Sequence, residues 1–254
     1  MASLSIVTIT FNNLEELKTT MASVASQTRL PQEYWIIDGS NDGKIKAYLE
    51  SEELPNYVKW ISEPDKGISD AFNKGVSRAT QEVVHILNSG DYYFEESTVE
   101  KVMQHFDSNP ELMWVHAKYK QFLGNHWIIS GKEYNPKKLH MGMRQVAHPT
   151  MFLRNEVYGR IGLFPVDMRD AMDYDLLIRL RNEKFKYLDF PTAVFTPGGN
   201  SDVNWKRTYK EGMKIYQNHF GNDWRLQIGY LKQLLVHAVF GTFIGDSFLK
   251  RRTK

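Results

Sequence analysis

Along its amino-terminal portion the chain alternates short β-branched runs with helical patterns, and few architectures accommodate that alternation. Leu4–Phe11, Glu33–Asp38, Val58–Ser62 and Glu82–Asn88 read as strands. Between the first two, Leu14, Leu17, Met21, Val24 and Ala25 fall at helical spacing, with Asn12 or Asn13 as the expected cap. A second helix is expected from about Ile68 to Ala79, and a third after Ser97 with Val99, Val102, Met103 and Phe106 on one face. The order strand, helix, strand demands right-handed crossovers, which gives an α/β fold with a mostly parallel sheet.

The second half is less regular. Strands are expected at Leu112–Lys118, His126–Ser130, Thr150–Arg154 and Phe185–Phe195, with a helix from Asp173 to about Glu183. These form a mixed sheet adjoining the parallel one, followed by terminal helices. The loop at Pro197-Gly198-Gly199 is the clearest break, so residues 1–203 read as a catalytic domain with halves 1–94 and 95–203, and 204–254 as a helical extension. The 254 residues carry a formal charge of +2, too little for a broad polyanion-binding field, which argues against a nucleic-acid partner. The chain has no cysteine and opens without a basic, then apolar, export signal, so a cytoplasmic location is expected.

In open α/β sheets ligands bind beyond the carboxyl ends of the strands. Here those ends read Phe11-Asn12, Asp38-Gly39-Ser40, Ser62-Glu63-Pro64-Asp65 and Asn88-Ser89-Gly90-Asp91. Three of the four bring a carboxylate, and converging carboxylates repel unless a cation or donor groups intervene, which a divalent metal would resolve. The turn Thr10-Phe11-Asn12-Asn13 contains no glycine, unlike a dinucleotide fingerprint or a P-loop. Metal and side chains, rather than a glycine-rich cradle, would therefore hold a diphosphate, and hard oxygen ligands suggest Mg2+ or Mn2+. Asp38 to Gly43 also begins like a calcium loop, but its twelfth position is Leu49 rather than a bidentate glutamate.

The strings Val-Thr-Ile-Thr-Phe-Asn, Ile-Ile-Asp-Gly-Ser-Asn-Asp-Gly, Ser-Glu-Pro-Asp-Lys-Gly-Ile-Ser-Asp-Ala-Phe-Asn-Lys-Gly and Ile-Leu-Asn-Ser-Gly-Asp stand in an order that resembles family 2 glycosyltransferases. A fifth string, Asp173-Tyr174-Asp175-Leu176-Leu177-Ile178-Arg179, falls where that family places its acceptor-activating carboxylate. The resemblance covers roughly the first 200 residues. It implies a GT-A fold and an inverting transfer from a nucleotide diphosphate sugar, a UDP- or TDP-sugar, to a saccharide or lipid-linked saccharide hydroxyl in bacterial surface polysaccharide synthesis.

Carried over by residue, the resemblance makes Thr10, Phe11, Asn12 and Asp38 the base pocket, with Asp38 accepting from the pyrimidine N3–H. Asp65 would lie near the nucleotide and Asp91 on the Mn2+ or Mg2+. Gly90 departs from the pattern, because an acidic residue is common there; Asn88 or a backbone group would replace its ribose contact. Asp173 would be the general base, with Asp175 pointing elsewhere and pairing with Arg179. His148, Gly199 and Ser201 resemble positions bordering acceptor or diphosphate. Bland readings stand beside these: Asp91 as a helix cap, Asp173 as a dipole-favoured terminal carboxylate, and His148 as a scaffold residue. A sugar-phosphate nucleotidyltransferase and an inactive carbohydrate-binding assembly subunit are the rival functions. In the tail, Leu231, Leu234, Leu235, Ala238, Val239, Phe240, Phe243, Ile244, Phe248 and Leu249 precede Lys250-Arg251-Arg252-Thr253-Lys254. That pattern suggests peripheral contact with the inner face of the cytoplasmic membrane, with packing on the catalytic domain or in a homodimer as the alternative.

Overall fold

A computed structural model describes residues 1–123, 126–143, 146–195, 204–232 and 234–235. Strands β1 (Leu4–Thr10), β2 (Glu33–Asp38), β3 (Val58–Ser62) and β4 (Val83–Ile86) run parallel in the order β3-β2-β1-β4. Helices α1 (Leu14–Ala25), α2 (Lys44–Ser51) and α3 (Ile68–Val76) fill the crossovers. Beyond β4 the same sheet continues through β8 (Phe152–Arg154), β6 (Trp114–Leu123), β9 (Phe185–Phe195) and β5 (Tyr92–Tyr93), and β7 (His126–Ser130) pairs with β6. The β4–β8 pairing is antiparallel, so the parallel and mixed portions join edge to edge. Helices α4 (Thr98–Ser108), α5 (Asn155–Ile161), α6 (Met172–Arg179) and α7 (Trp205–Phe220) complete the described elements. Among the described residues no helix is long and apolar enough to cross a membrane.

Alternation along the parallel strands sorts their side chains into two cores. Leu4 and Ile6 of β1 with Tyr34 and Ile36 of β2 face α1, α2 and α4, whereas Val7 and Ile37 face α3, α6 and α7. Ile215 and Tyr216 of α7 are buried in this second core beside Tyr174 and Leu177. The first helix after residue 204 therefore packs on the same core as the sheet. Residues 224–232 are helical again, with Trp224, Ile228 and Leu231 exposed. The remaining tail expectations, from residue 236 onward, lie outside the described residues.

Several expectations need adjustment. The residue at the α1 cap is Asn13, but its side chain makes no cap hydrogen bond; its Oδ1 accepts instead from Thr10 Oγ1 at 2.5 Å and Phe11 N at 3.1 Å. The Asp173 helix is also shorter than expected, turning to 3-10 geometry over Leu180–Asn182.

The helix α3 crosses the sheet so closely that Gly75 has no room for a side chain. A Cβ there would lie 2.2 Å from Val7 Cγ1 and 3.3 Å from Ile37 Cγ1, both in fully buried residues. Gly75→Ala is expected to lower stability by about 1–3 kcal/mol through overpacking, exceeding the ~1 kcal/mol gain in helix propensity. Thermal unfolding checks this, and an unchanged or higher Tm would mean that α3 can lift without cost.

Candidate active site

The register of the parallel strands sets Thr10 beside Asp38 and Asp38 beside Ser62. Their carboxyl ends thus form one polar edge. Asp38 is fully buried: its Oδ2 accepts from Ser62 Oγ at 2.7 Å and its Oδ1 from Ser40 N at 2.9 Å. The structure places this carboxylate behind the Ser40 turn rather than on open surface. The turns after β1 and β2 are then tied together. Asn12 N donates to Ser40 Oγ at 2.8 Å, Asn12 Nδ2 to Asn41 Oδ1 at 2.9 Å, and Asn41 N to Asn12 Oδ1 at 3.2 Å. Asn12 holds a left-handed φ of 53° to make these bonds, a conformation asparagine tolerates better than most residues. Phe11 is left 60% exposed beside this seam, an aromatic face available for stacking.

Asp65 reaches the same edge. A Cβ on Gly39 would lie 2.0 Å from Asp65 Oδ2, so only glycine permits this approach. Burial pushes the Asp65 carboxyl above its usual range, outweighing Lys74, whose Nζ donates to Asp65 Oδ1 at 2.7 Å. Lys74 also pairs with Glu63 at 3.2 Å and Asp70 at 3.5 Å. Of the two expected ways to relieve converging strand-end carboxylates, donor groups serve at two of them: hydroxyl and backbone donors meet Asp38, and Lys74 meets Asp65. Among the described residues no three His, Cys, Asp or Glu side chains group to hold an ion.

Asp91 is buried behind a tight turn in which its N–H donates to Asn88 O at 3.0 Å. Thr20 of α1 fixes the turn by donating to Asp91 O at 2.7 Å and accepting from Gly90 N at 3.0 Å. Gly90 has φ of 97°, so the departure from an acidic residue has a backbone cause. Nearby, Asn88 Oδ1 and Ser89 Oγ are buried without a hydrogen-bond partner. Such atoms are costly unless a ligand uses them. One carboxylate, an orphaned amide oxygen and the phosphates of a ligand make a hard oxygen set, which fits Mg2+ or Mn2+ better than an all-protein cage would.

The acceptor side forms around α6. Asn88, His148, Asp170 and Asp173 line one cavity of about 400 Å³, together with Phe72 and Tyr119. Asp170 and Asp173 also line a second cavity of about 350 Å³, bounded by His140, Met141, Tyr174, Tyr209 and Met213. Asp173 thus stands in a wall shared by two chambers. Burial pushes its carboxyl up to about 6, against the 2.8 Å hydrogen bond from Tyr174 N to its Oδ1. Asp175 points away into an ion pair with Arg179 at 2.8 Å and a contact with His219 Nε2 at 2.9 Å. His148 rests against Phe72 with ring centroids 5.1 Å apart, and burial lowers it to about 4, so it is neutral near pH 7. Gly199 and Ser201 lie outside the described residues.

A sequence profile described as Glycosyl transferase family 2 matches residues 5–162. The chain belongs to that family. It is thereby a glycosyltransferase, and its sheet and helices have the GT-A arrangement. A glycosyltransferase of Mycobacterium tuberculosis is 27% identical over 180 residues, covering 70% of this chain and 68% of that protein. Among solved structures, S. aureus TarS aligns with a TM-score of 0.65 at 17% identity over 89% of this chain, which spans only 41% of TarS. A mannosyltransferase from Pyrobaculum calidifontis, solved with GDP-Man and Mn2+, aligns with a TM-score of 0.65 at 14% identity, covering 93% of this chain and 75% of that one. At such identity these two structures establish the fold alone.

Within this family 2 chain, the described cavities unite Asn88, His148 and Asp173, while Thr10, Phe11, Asn12, Asp38 and Asp65 gather at the neighbouring strand ends. Sequence reasoning passed over Asp170, Tyr119 and Gln121, which also line the Asn88 cavity. Asp170 was visible only as one of several acids near Asp173, and the two strand residues carried no motif.

The buried ionisable groups give a pH signature. Burial lowers His85 to about 3 and His116 and His148 to about 4, below the ordinary value near 6.5. Their contribution to stability is intact above pH ~6.5 and is lost as pH falls toward 4, because the unfolded chain takes protons first. Asp173 acts oppositely, contributing fully below pH ~4 and losing that contribution as pH rises through about 6. At about pH 5 these four groups predict a net uptake of about two protons on unfolding, a slope of about 2.7 kcal/mol per pH unit. Asp173→Asn should steepen that slope by about one proton. Denaturant unfolding between pH 4.5 and 6, about the window set by these values, measures it, and equal slopes would show Asp173 titrating as an ordinary carboxylate.

Proposed function

We propose that this glycosyltransferase moves a sugar from a UDP- or TDP-sugar to a hydroxyl of a saccharide or lipid-linked saccharide, with inversion at the anomeric carbon. The observation that carries this reading is the Asp173 carboxyl in a wall common to two cavities, one of them lined by Asn88. The donor lies along the strand ends, with its base by Phe11 and its sugar in the Asn88 chamber. The acceptor hydroxyl enters from the chamber formed by Tyr174, Tyr209 and Met213. Phe11, Thr10 and the tied Asn12 turn wall the base pocket; Asp38 retains acceptor capacity for a pyrimidine N3–H and at least orders the Ser40 turn. Asp65 braces this pocket through Gly39. His148 borders the reacting groups.

The chemistry is a single displacement. As the acceptor oxygen bonds to the anomeric carbon, Asp173 takes its proton, and the bond to the β-phosphate oxygen breaks with its electron pair leaving on the nucleotide diphosphate. A carboxyl poised at about 6 is ionised at pH 7 yet more basic than an exposed aspartate. Asp91 and Asn88 would hold Mg2+ or Mn2+, which supplies charge neutralisation for the departing diphosphate. Peripheral contact of the carboxy-terminal segment with acidic lipid would suit a lipid-linked acceptor, and Trp224, Ile228 and Leu231, earlier in the chain, expose apolar surface of their own.

Asp173→Asn is expected to lower transfer by about 10²–10⁴ while sparing metal-dependent nucleotide binding. Wild-type turnover, in an assay limited by chemistry over a panel of UDP- and TDP-sugars, would remove Asp173 from the reaction. Asp91→Ala should weaken donor binding in Mn2+ by about tenfold or more and leave the remainder insensitive to EDTA. Calorimetry decides between that outcome and a turn residue with no part in donor binding.

A further inference from the structure

The segment that presents Asp173 does not hold itself in place. The α6 cap position is Ala171, which has no side-chain acceptor for the unpaired N–H groups at a helix start. A carboxylate from α7 instead ties down the three residues that lead into the helix. Glu211 accepts from Arg169 N at 3.0 Å through Oε1, and from Asp170 N at 2.8 Å and Ala171 N at 2.7 Å through Oε2. One turn earlier on α7, Arg207 grips Asp170 with two nitrogens, Nη2 to Oδ1 at 2.9 Å and Nε to Oδ2. The Asp170 side chain is fully buried, whereas Arg207 retains about half its exposure. Both α6 and α7 lie beyond residues 5–162, the span matched by the family profile.

We propose that Glu211 and Arg207 are positioning residues, which clamp residues 169–171 so that Asp173 faces the junction of the two cavities. This rests on the reading of Asp173 as the general base. Removing either contact lets the start of α6 shift, and a displacement of about 1 Å at a base can cost about a hundredfold in rate. The clamp also adds a small part of the field at Asp173. The titratable groups around it are Glu211 from α7, Asp170 with its bound Arg207, His140 and His148 from the two flanking turns, and Tyr174 and Tyr209. After burial, which is the larger cause, the negative charge of Glu211 raises Asp173 further.

The test uses full-length protein and three variants, Glu211→Gln, Arg207→Lys and Asp173→Asn. Glutamine keeps the length of Glu211 without its charge, and lysine keeps the charge of Arg207 without its fork. Carboxyl-carbon NMR of labelled aspartate, assigned by Asp173→Asn, should show Asp173 titrating at about 6 in wild type and lower in Glu211→Gln. Donor turnover should fall by about ten- to a hundredfold in both clamp variants, with nucleotide affinity unchanged. If Glu211→Gln does not fold, the milder Arg207→Lys decides the matter through its turnover. Wild-type turnover with an unmoved Asp173 titration, even alongside a lower Tm, would overturn the proposal and leave α7 a structural brace. Asp173→Asn separates the two readings: if it turns over normally the base assignment fails, and if it is inactive while both clamp variants are normal only the clamp fails.

Discussion

The side-by-side register of β1, β2 and β3 determines where every donor-side group can stand. Thr10, Asp38 and Ser62 end their strands level with one another, so a single hydroxyl-to-carboxylate contact between Ser62 and Asp38 locks two strands at the place where the sheet opens. A slip of one residue would turn Asp38 to the opposite face and exchange the two cores. Gly75 enforces the same arrangement from below, because α3 can lie against Val7 and Ile37 only without a side chain at that point. Lys74, next along the helix, is thereby delivered to Asp65, and Asp65 to Gly39. Packing and polar geometry at this edge are one constraint seen from two sides.

Strands β1, β2 and β4 were legible because most of their side chains are buried on both faces and read as near-continuous apolar runs bounded by turn residues, and the half-buried edge strand β3 by its β-branched and aromatic residues. Val58–Ser62 and Glu33–Asp38 fall where their patterns place them. Other elements carry no comparable signal. Tyr92–Tyr93 is a strand only because Val194 and Ala193 lie opposite, and α2 is a short helix following a glycine, with no side-chain cap to mark its start. Local pattern cannot reveal pairing partners a hundred residues away.

The site divides in the same manner. Motif order pointed to the strand ends and to Asp173, and the structure gathers those residues as two neighbouring groups. What the sequence hid was the means of satisfaction. Counting carboxylates at strand ends suggested repulsion, but a serine hydroxyl, a backbone N–H and a lysine from the following helix absorb two of the three. Glu211 was equally hidden, since nothing in the pattern around it announces that its carboxylate holds the segment leading into a helix some forty residues earlier. Long-range polar partners follow from tertiary placement and leave no periodic trace.

Along the strand ends and α6, most of the carboxylates have partners and two other polar side chains do not. Asp38, Asp65, Asp170 and Asp175 all have their charge met within the chain. Asn88 Oδ1 and Ser89 Oγ do not, and each such buried atom costs about 1–3 kcal/mol. A folded chain retains that cost where a bound molecule recovers it. The orphaned oxygens adjoin the Asp91 turn, and Asn88 lines the chamber that Asp173 closes. The side chains engaged with the protein thus hold the shape of the edge, and under the proposed function the oxygens of Asn88 and Ser89 are the groups that a bound donor would engage.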